Sequence, residues 1–236
     1  MAMLFIKPLW FQGFDIALEI IFAVITIAVS IIAFKLYRLT SERRIKLLAT
    51  SFLLMALAYV VLFITNIATL VTVVKAPVIF WESLQKLIIL NNVGVYLYIV
   101  LFLAGLTAIL YMTLNVYQTR IYWLLLLPLL IALVFILNKL FLFYIFSSLI
   151  LIFIVWYYFK CFRVNRHTSN TIIFVAFFFL FLGRVHFIFS INNALFYVLG
   201  HFLELIAYLL ILFNLLIAMK KGVNHESEKR KTTSHL

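Results

Sequence analysis

Residues 121–159 read IYWLLLLPLLIALVFILNKLFLFYIFSSLILIFIVWYYF. A helix crosses the hydrocarbon core of a bilayer with about 20 apolar residues, so this stretch is too long for one span. Asn138 and Lys139 are its only strongly polar pair and fall near its middle. They predict a tight hairpin between a span over 121–137 and another over 140–159. The same reading extends in both directions. Apolar runs of membrane length occupy about 14–37, 46–74, 87–114, 170–189 and 194–219. The expected fold is all-α: a polytopic bundle of seven membrane helices over residues 1–219, followed by a basic, disordered tail over 220–236.

Composition supports this reading. Of the 236 residues, 67% are hydrophobic and 11% charged, where a soluble domain is about half apolar and a quarter charged. The mean hydropathy is +1.23. The net charge of +12 raises the possibility of a nucleic-acid partner, but the basic residues lie between the apolar runs, where membrane orientation and anionic headgroups account for them. Nucleic acid is therefore not an expected partner. Of the 19 Lys and Arg, only Lys7, Lys75, Lys86, Lys139 and Arg184 fall on one side of the alternating spans. The richer side is cytoplasmic by the positive-inside rule, which puts the N-terminus outside and the C-terminus inside a cell membrane. No signal peptide is recognised, since the first apolar run carries Asp15 and Glu19. The connection 75–86 contains Pro77 and Trp81 and is expected to lie as a short helix at the interface. Cys161 is the one cysteine, which excludes an internal disulfide. It reads as an inert thiol at a helix end, with palmitoylation as the alternative.

The chemistry resides in the few ionisable residues inside the spans. On this orientation Asp15, Glu19, Arg184, His186, His201 and Glu204 all fall in the outer half of the membrane. A charge at bilayer depth costs roughly 2.5–3.5 kcal/mol on insertion scales, so it normally faces protein. Asp15, Glu19, Thr26 and Ser30 form one narrow stripe of the first helix. Tyr197, His201, Glu204 and Tyr208 share a face of the last one at i, i+4, i+7 and i+11. His201 and Glu204, at i and i+3, suit a hydrogen-bonded pair, a proton-sensing pair or two ligands of one metal. Arg184 either pairs with Glu204, Glu19 or Asp15, or snorkels to the outer headgroups. In the third span Asn91, Gly94, Tyr98 and Gly105 form a stripe whose glycines permit close helix approach. Asn66 lies at similar depth and shares a face with Tyr59, whereas Thr107 and Asn214 stand alone in the cytoplasmic half. The candidate ligand-binding or proton-sensing pocket is Asp15, Glu19, Asn91, Arg184, His201 and Glu204.

Cofactor chemistries are tested against the same residues. A retinal Schiff base in the last helix requires a lysine, and 194–219 contains none. A bis-histidine haem has only His186 and His201 to draw on. A zinc site has His186, His201 and Glu204, but no spacing among them specifies one. No catalytic residues and no cofactor are assigned.

LEIIFAVITIAVSIIAFKLYRLTSERRIKLLATSFLLMALAYV at 18–60 places an acidic residue early in the first helix before a short basic loop. GHFLELIAYLLIL at 200–212 places His-x-x-Glu near the start of the last. In these features the chain resembles the seven-helix, N-out membrane sensory modules of prokaryotic signalling proteins. The resemblance implies perception of a membrane-phase or external signal through the buried polar layer. No output domain follows, so a separate membrane or cytoplasmic partner would carry the signal. The function expected is a non-enzymatic receptor, sensor or accessory subunit. A small transporter or ion/proton pathway, and an intramembrane metal enzyme, are the alternatives.

Overall fold

A computed structural model describes residues 11–75, 81–116, 118–136, 138–191 and 193–233. Among them are seven helices: α1 (Gln12–Thr40), α2 (Arg43–Lys75), α3 (Trp81–Thr113), α4 (Thr119–Phe135), α5 (Lys139–Val164), α6 (Thr168–Phe189) and α7 (Ala194–Thr233). Six of them, all but α4, are long and apolar enough to cross a membrane. The chain is thus an all-α, multi-pass membrane protein by length and composition of its helices.

The turns form where the polar residues interrupt the apolar runs. Asn138 caps α5, its side-chain oxygen accepting from the Phe141 amide at 3.2 Å. Such a cap satisfies one of the donors that a helix start leaves open. Ser41 closes α1 in the left-handed region, at φ 56°, and its amide donates to the Tyr37 carbonyl at 2.7 Å. His167 caps α6 through Nδ1, and Asn193 holds the Leu195 amide before α7.

The helices run a few residues past most of the expected span ends. Two differences are larger. From Trp81 onward the connection before the third span is the first part of α3, not a separate interfacial helix; Pro77 lies outside the described residues. The last helix continues to Thr233, through the segment read from composition as a disordered tail. No proline follows Met219 to stop it.

The packing order does not simply follow the chain. α1 packs against α2, α2 against α3, α3 directly against α5, then α5 against α6, α6 against α7, and α7 back against α1. These six helices close a ring, and α4 sits outside it against α3 and α5. α4 has 17 residues and contains Pro128. At 1.5 Å per residue it is about 26 Å long, short of a hydrocarbon core of roughly 30 Å. Leu126 and Leu133 are its buried contacts, while Leu124, Val134 and Phe135 are exposed.

Glycine sets the closest approach in the ring. A Cβ on Gly105 would stand 2.7 Å from the Ser51 carbonyl oxygen, and one on Gly94 would stand 2.0 Å from Thr65 Oγ1. The α2 and α3 backbones therefore meet at the stripe predicted for close contact. In the ring interior Phe22, Phe52, Phe102, Phe143 and Phe177 are fully buried, with no polar atoms to satisfy.

Candidate functional site: a charged chamber inside the ring

At one end of the ring the apolar filling gives way to polar side chains. α1, α5 and α7 contribute from near their starts, α6 from near its end, and α2 and α3 from their middle stretches. The buried stripe of α1 turns inward as expected. Thr26 bonds the carbonyls of its own helix, and Ser30 crosses to the Ala49 carbonyl of α2 at 2.9 Å. Asp15 and Glu19, one and two turns from the helix start, are also buried.

Arg184 holds the centre of the first cluster. It is the largest fully buried side chain of the protein's described residues. Its Nη2 donates to Glu204 Oε1 across α6 and α7, an ion pair with both partners out of solvent. The Tyr59 hydroxyl donates to the same carboxylate oxygen at 2.5 Å, and lies 2.9 Å from the Tyr208 hydroxyl. Tyr208 reaches Glu204 from one turn along at 3.3 Å. The guanidinium carbon sits 4.3 Å from the Phe102 ring centre, with Phe143, Phe187 and Tyr144 between 5.3 and 6.0 Å. Ring faces attract a cation, so these rings supply part of what water would have supplied. Arg184 does not snorkel.

The second cluster lies one turn nearer the end of the ring. His201 Nε2 is 3.1 Å from Asp15 Oδ1, within ion-pair range but off the line of a good hydrogen bond. The Tyr197 hydroxyl donates to the same oxygen at 2.9 Å. Phe187 and Tyr197 pack edge-on against the imidazole, and Phe22 stacks on it. Beside this cluster the Asn66 amide donates to Glu19 Oε1 at 2.5 Å, joining α2 to α1.

These clusters wall one cavity of about 240 Å³. All six residues of the candidate pocket, Asp15, Glu19, Asn91, Arg184, His201 and Glu204, line it. The pairing within the last helix is different from the expected one. His201 and Glu204 share a face but not a hydrogen bond: His201 turns to Asp15 of α1, and Glu204 to Arg184 of α6. His186 stays out of the chamber, its Nδ1 donating to the Leu182 carbonyl at 2.7 Å and its ring beside Phe196. Among the described residues no three His, Cys, Asp or Glu gather as metal ligands.

The tyrosines are what sequence reasoning undervalued. Tyr59, Tyr98, Tyr144 and Tyr197 line the chamber, and Tyr59 is the hub of the Arg184 cluster. The available signal was the spacing of Tyr59 and Asn66 at i and i+7 on α2, the same period that marks the stripe of α7. At the opposite half, Asn214 accepts from Ser169 Oγ at 2.7 Å, while Thr107 Oγ1 is buried without a hydrogen-bond partner among the described residues.

No family model matches the chain, and neither a curated protein nor a solved structure matches it.

Proposed function

We propose that the protein is a non-enzymatic membrane receptor or sensor, an accessory subunit in a signalling assembly, whose ligand enters the chamber. The chamber itself carries this reading. A network that served only to join helices would be packed to interior density, with no void larger than a water. Here a buried ion pair and a His–Asp contact border about 240 Å³ of space. The distribution of Lys and Arg supports a cell-membrane orientation with the N-terminus outside, so that the chamber lies in the outer half. The similarity in plan to seven-helix sensory modules points the same way, with output through a separate partner.

The chamber floor disfavours a pathway. Beyond Glu204, Tyr208 packs against Phe22 at 5.7 Å and Phe52 at 6.4 Å between ring centres, and both phenylalanines are fully buried.

Val95 lines the chamber and is half-buried, so Val95→Phe fills it without removing a polar group. Mass spectrometry of organic extracts from purified protein should find a small molecule retained by the wild type and missing from Val95→Phe. Proton or sodium uptake by proteoliposomes, abolished by the same substitution, would assign a pathway instead.

A further inference from the structure

Several buried polar atoms of the chamber wall make no hydrogen bond among the described residues, His201 Nε2 with its skewed 3.1 Å contact to Asp15 included. Arg184 Nε and His201 Nδ1 are buried and have no hydrogen-bond partner among the described residues, and both side chains line the cavity. An unmade bond at a buried polar atom costs about 1–3 kcal/mol, and more for a charged group, so native structures rarely leave one. The Nε–H of a guanidinium can only donate. The imidazole presents Nε2 to the Asp15 carboxylate, which can only accept, so we assign the ring proton to Nε2. Nδ1 is then an acceptor. At these two atoms the wall offers one donor and one acceptor, and the Asn91 and Tyr98 side chains line it as well.

The ionisable groups are already engaged with one another or with amides and hydroxyls. Glu204 has Arg184, Tyr59 and Tyr208; Asp15 has His201 and Tyr197; Glu19 has Asn66. A charged ligand would compete with these contacts in a low-dielectric site. A neutral group that both donates and accepts would displace none. A hydroxyl is the smallest organic group that does both. His201 stands one turn from Glu204, the partner of Arg184. That three-residue step rises about 4.5 Å along α7, so both side chains leave the helix within one turn. The remaining wall, with Phe22, Val95 and Leu140, suits an apolar body. At about 30 Å³ per water-sized atom, the cavity holds roughly eight non-hydrogen atoms.

Resting on the receptor reading, we propose that the chamber binds a small neutral alcohol or phenol with an apolar, ring-sized body, its hydroxyl accepting from Arg184 Nε and donating to His201 Nδ1.

The probes are benzyl alcohol, benzoate and benzylamine in its ammonium form. Their binding to detergent-solubilised full-length protein is measured by equilibrium dialysis. Benzyl alcohol should bind saturably to the wild type and not to Val95→Phe. Arg184→Lys keeps the charge beside Glu204 but removes Nε–H. His201→Gln keeps a donor toward Asp15 but removes Nδ1. Each should weaken benzyl alcohol about five- to tenfold, as loss of one hydrogen bond does, with an unchanged elution volume on size exclusion. Tighter binding of benzoate or benzylammonium, still blocked by Val95→Phe, would overturn the neutral-ligand inference and leave the receptor reading standing. No saturable binding of any probe above that of Val95→Phe would overturn the inference, leaving a chamber that holds water. The retained-molecule and uptake measurements above decide the receptor reading separately.

Discussion

Arg184 and Glu204 bridge α6 and α7 as an ion pair in which the side chains are 1% and 3% exposed. Their surroundings are unequal. With Glu204 neutralised, the guanidinium keeps the Tyr59 hydroxyl at 3.4 Å and the face of Phe102. With Arg184 removed, the carboxylate keeps two tyrosine hydroxyls but no cation. Arg184→Ala should therefore destabilise by about 3–5 kcal/mol, and Glu204→Gln by less. Thermal melts in detergent of both single variants and the double variant should show clear non-additivity. Additive effects, with both singles near wild type, would refute the coupling.

Tyr59 and Tyr208 both touch Glu204, at 2.5 and 3.3 Å. Tyr59→Phe removes the shorter bond to a charged acceptor and should cost about 1.5–3 kcal/mol. Tyr208→Phe should cost less. Reversal of that order in the melting temperatures would show that the hub lies elsewhere.

Gly105 faces a backbone oxygen that cannot swing aside. Gly105→Ala should push α2 from α3 and cost about 1–3 kcal/mol, the range for overpacking. Gly13 has nothing within 4 Å of an added Cβ and lies in the first turn of α1. Gly13→Ala should be neutral or stabilise by up to about 1 kcal/mol through helix propensity. Equal melting temperatures for the two variants would contradict the close approach.

The orientation is tested on a Cys161→Ala background with single cysteines at Asn193 and Asn165, both exposed and at opposite ends of α6. A membrane-impermeant maleimide on intact cells should label the first and not the second. The opposite pattern would invert the bundle and put the chamber on the cytoplasmic side.

His201 and Glu204 are engaged with separate partners, which removes the spacing that most resembled a metal site. Elemental analysis of purified protein should find no stoichiometric zinc or iron. About one metal per chain, lost on His201→Ala, would restore the metal-enzyme reading.

Much of the architecture is legible because hydropathy and helical period are local. Asn138 marks the hairpin that it then caps, and the glycines of α3 mark the face that meets α2. The same period brings Asp15, Glu19 and Glu204 inward. What the period does not contain is the neighbour. Positions 201 and 204 share a stripe, yet α7 sits in a corner of the ring between α1 and α6, and one turn decides which of them a side chain meets. Arg184 is ambiguous for a related reason: near a helix end, the same residue reaches lipid headgroups or a buried carboxylate, depending on which face packs. The place of α4 outside the ring is equally hidden, because a helix apolar all round carries no stripe to orient it.

The ring closes between its first helix and its last, and that joint has a consequence for biosynthesis. Asp15 and the Tyr197 hydroxyl that holds it are 182 residues apart. Asp15 and Glu19 thus leave the ribosome long before Arg184, His201 and Glu204 exist. Glu19 meets Asn66 as soon as α2 is made, but until α7 emerges Asp15 has neither Tyr197 nor His201, and inserting its carboxyl group is unfavourable by a few kcal/mol, less at the interface than at depth. α1 consequently remains poorly committed to the bilayer, or shielded by the insertion machinery, through most of translation, and the final helix locks the first. In a Cys161→Ala chain truncated at Asn193, a cysteine at the outward-facing Val24 of α1 should react with a water-soluble maleimide, where the full chain protects it.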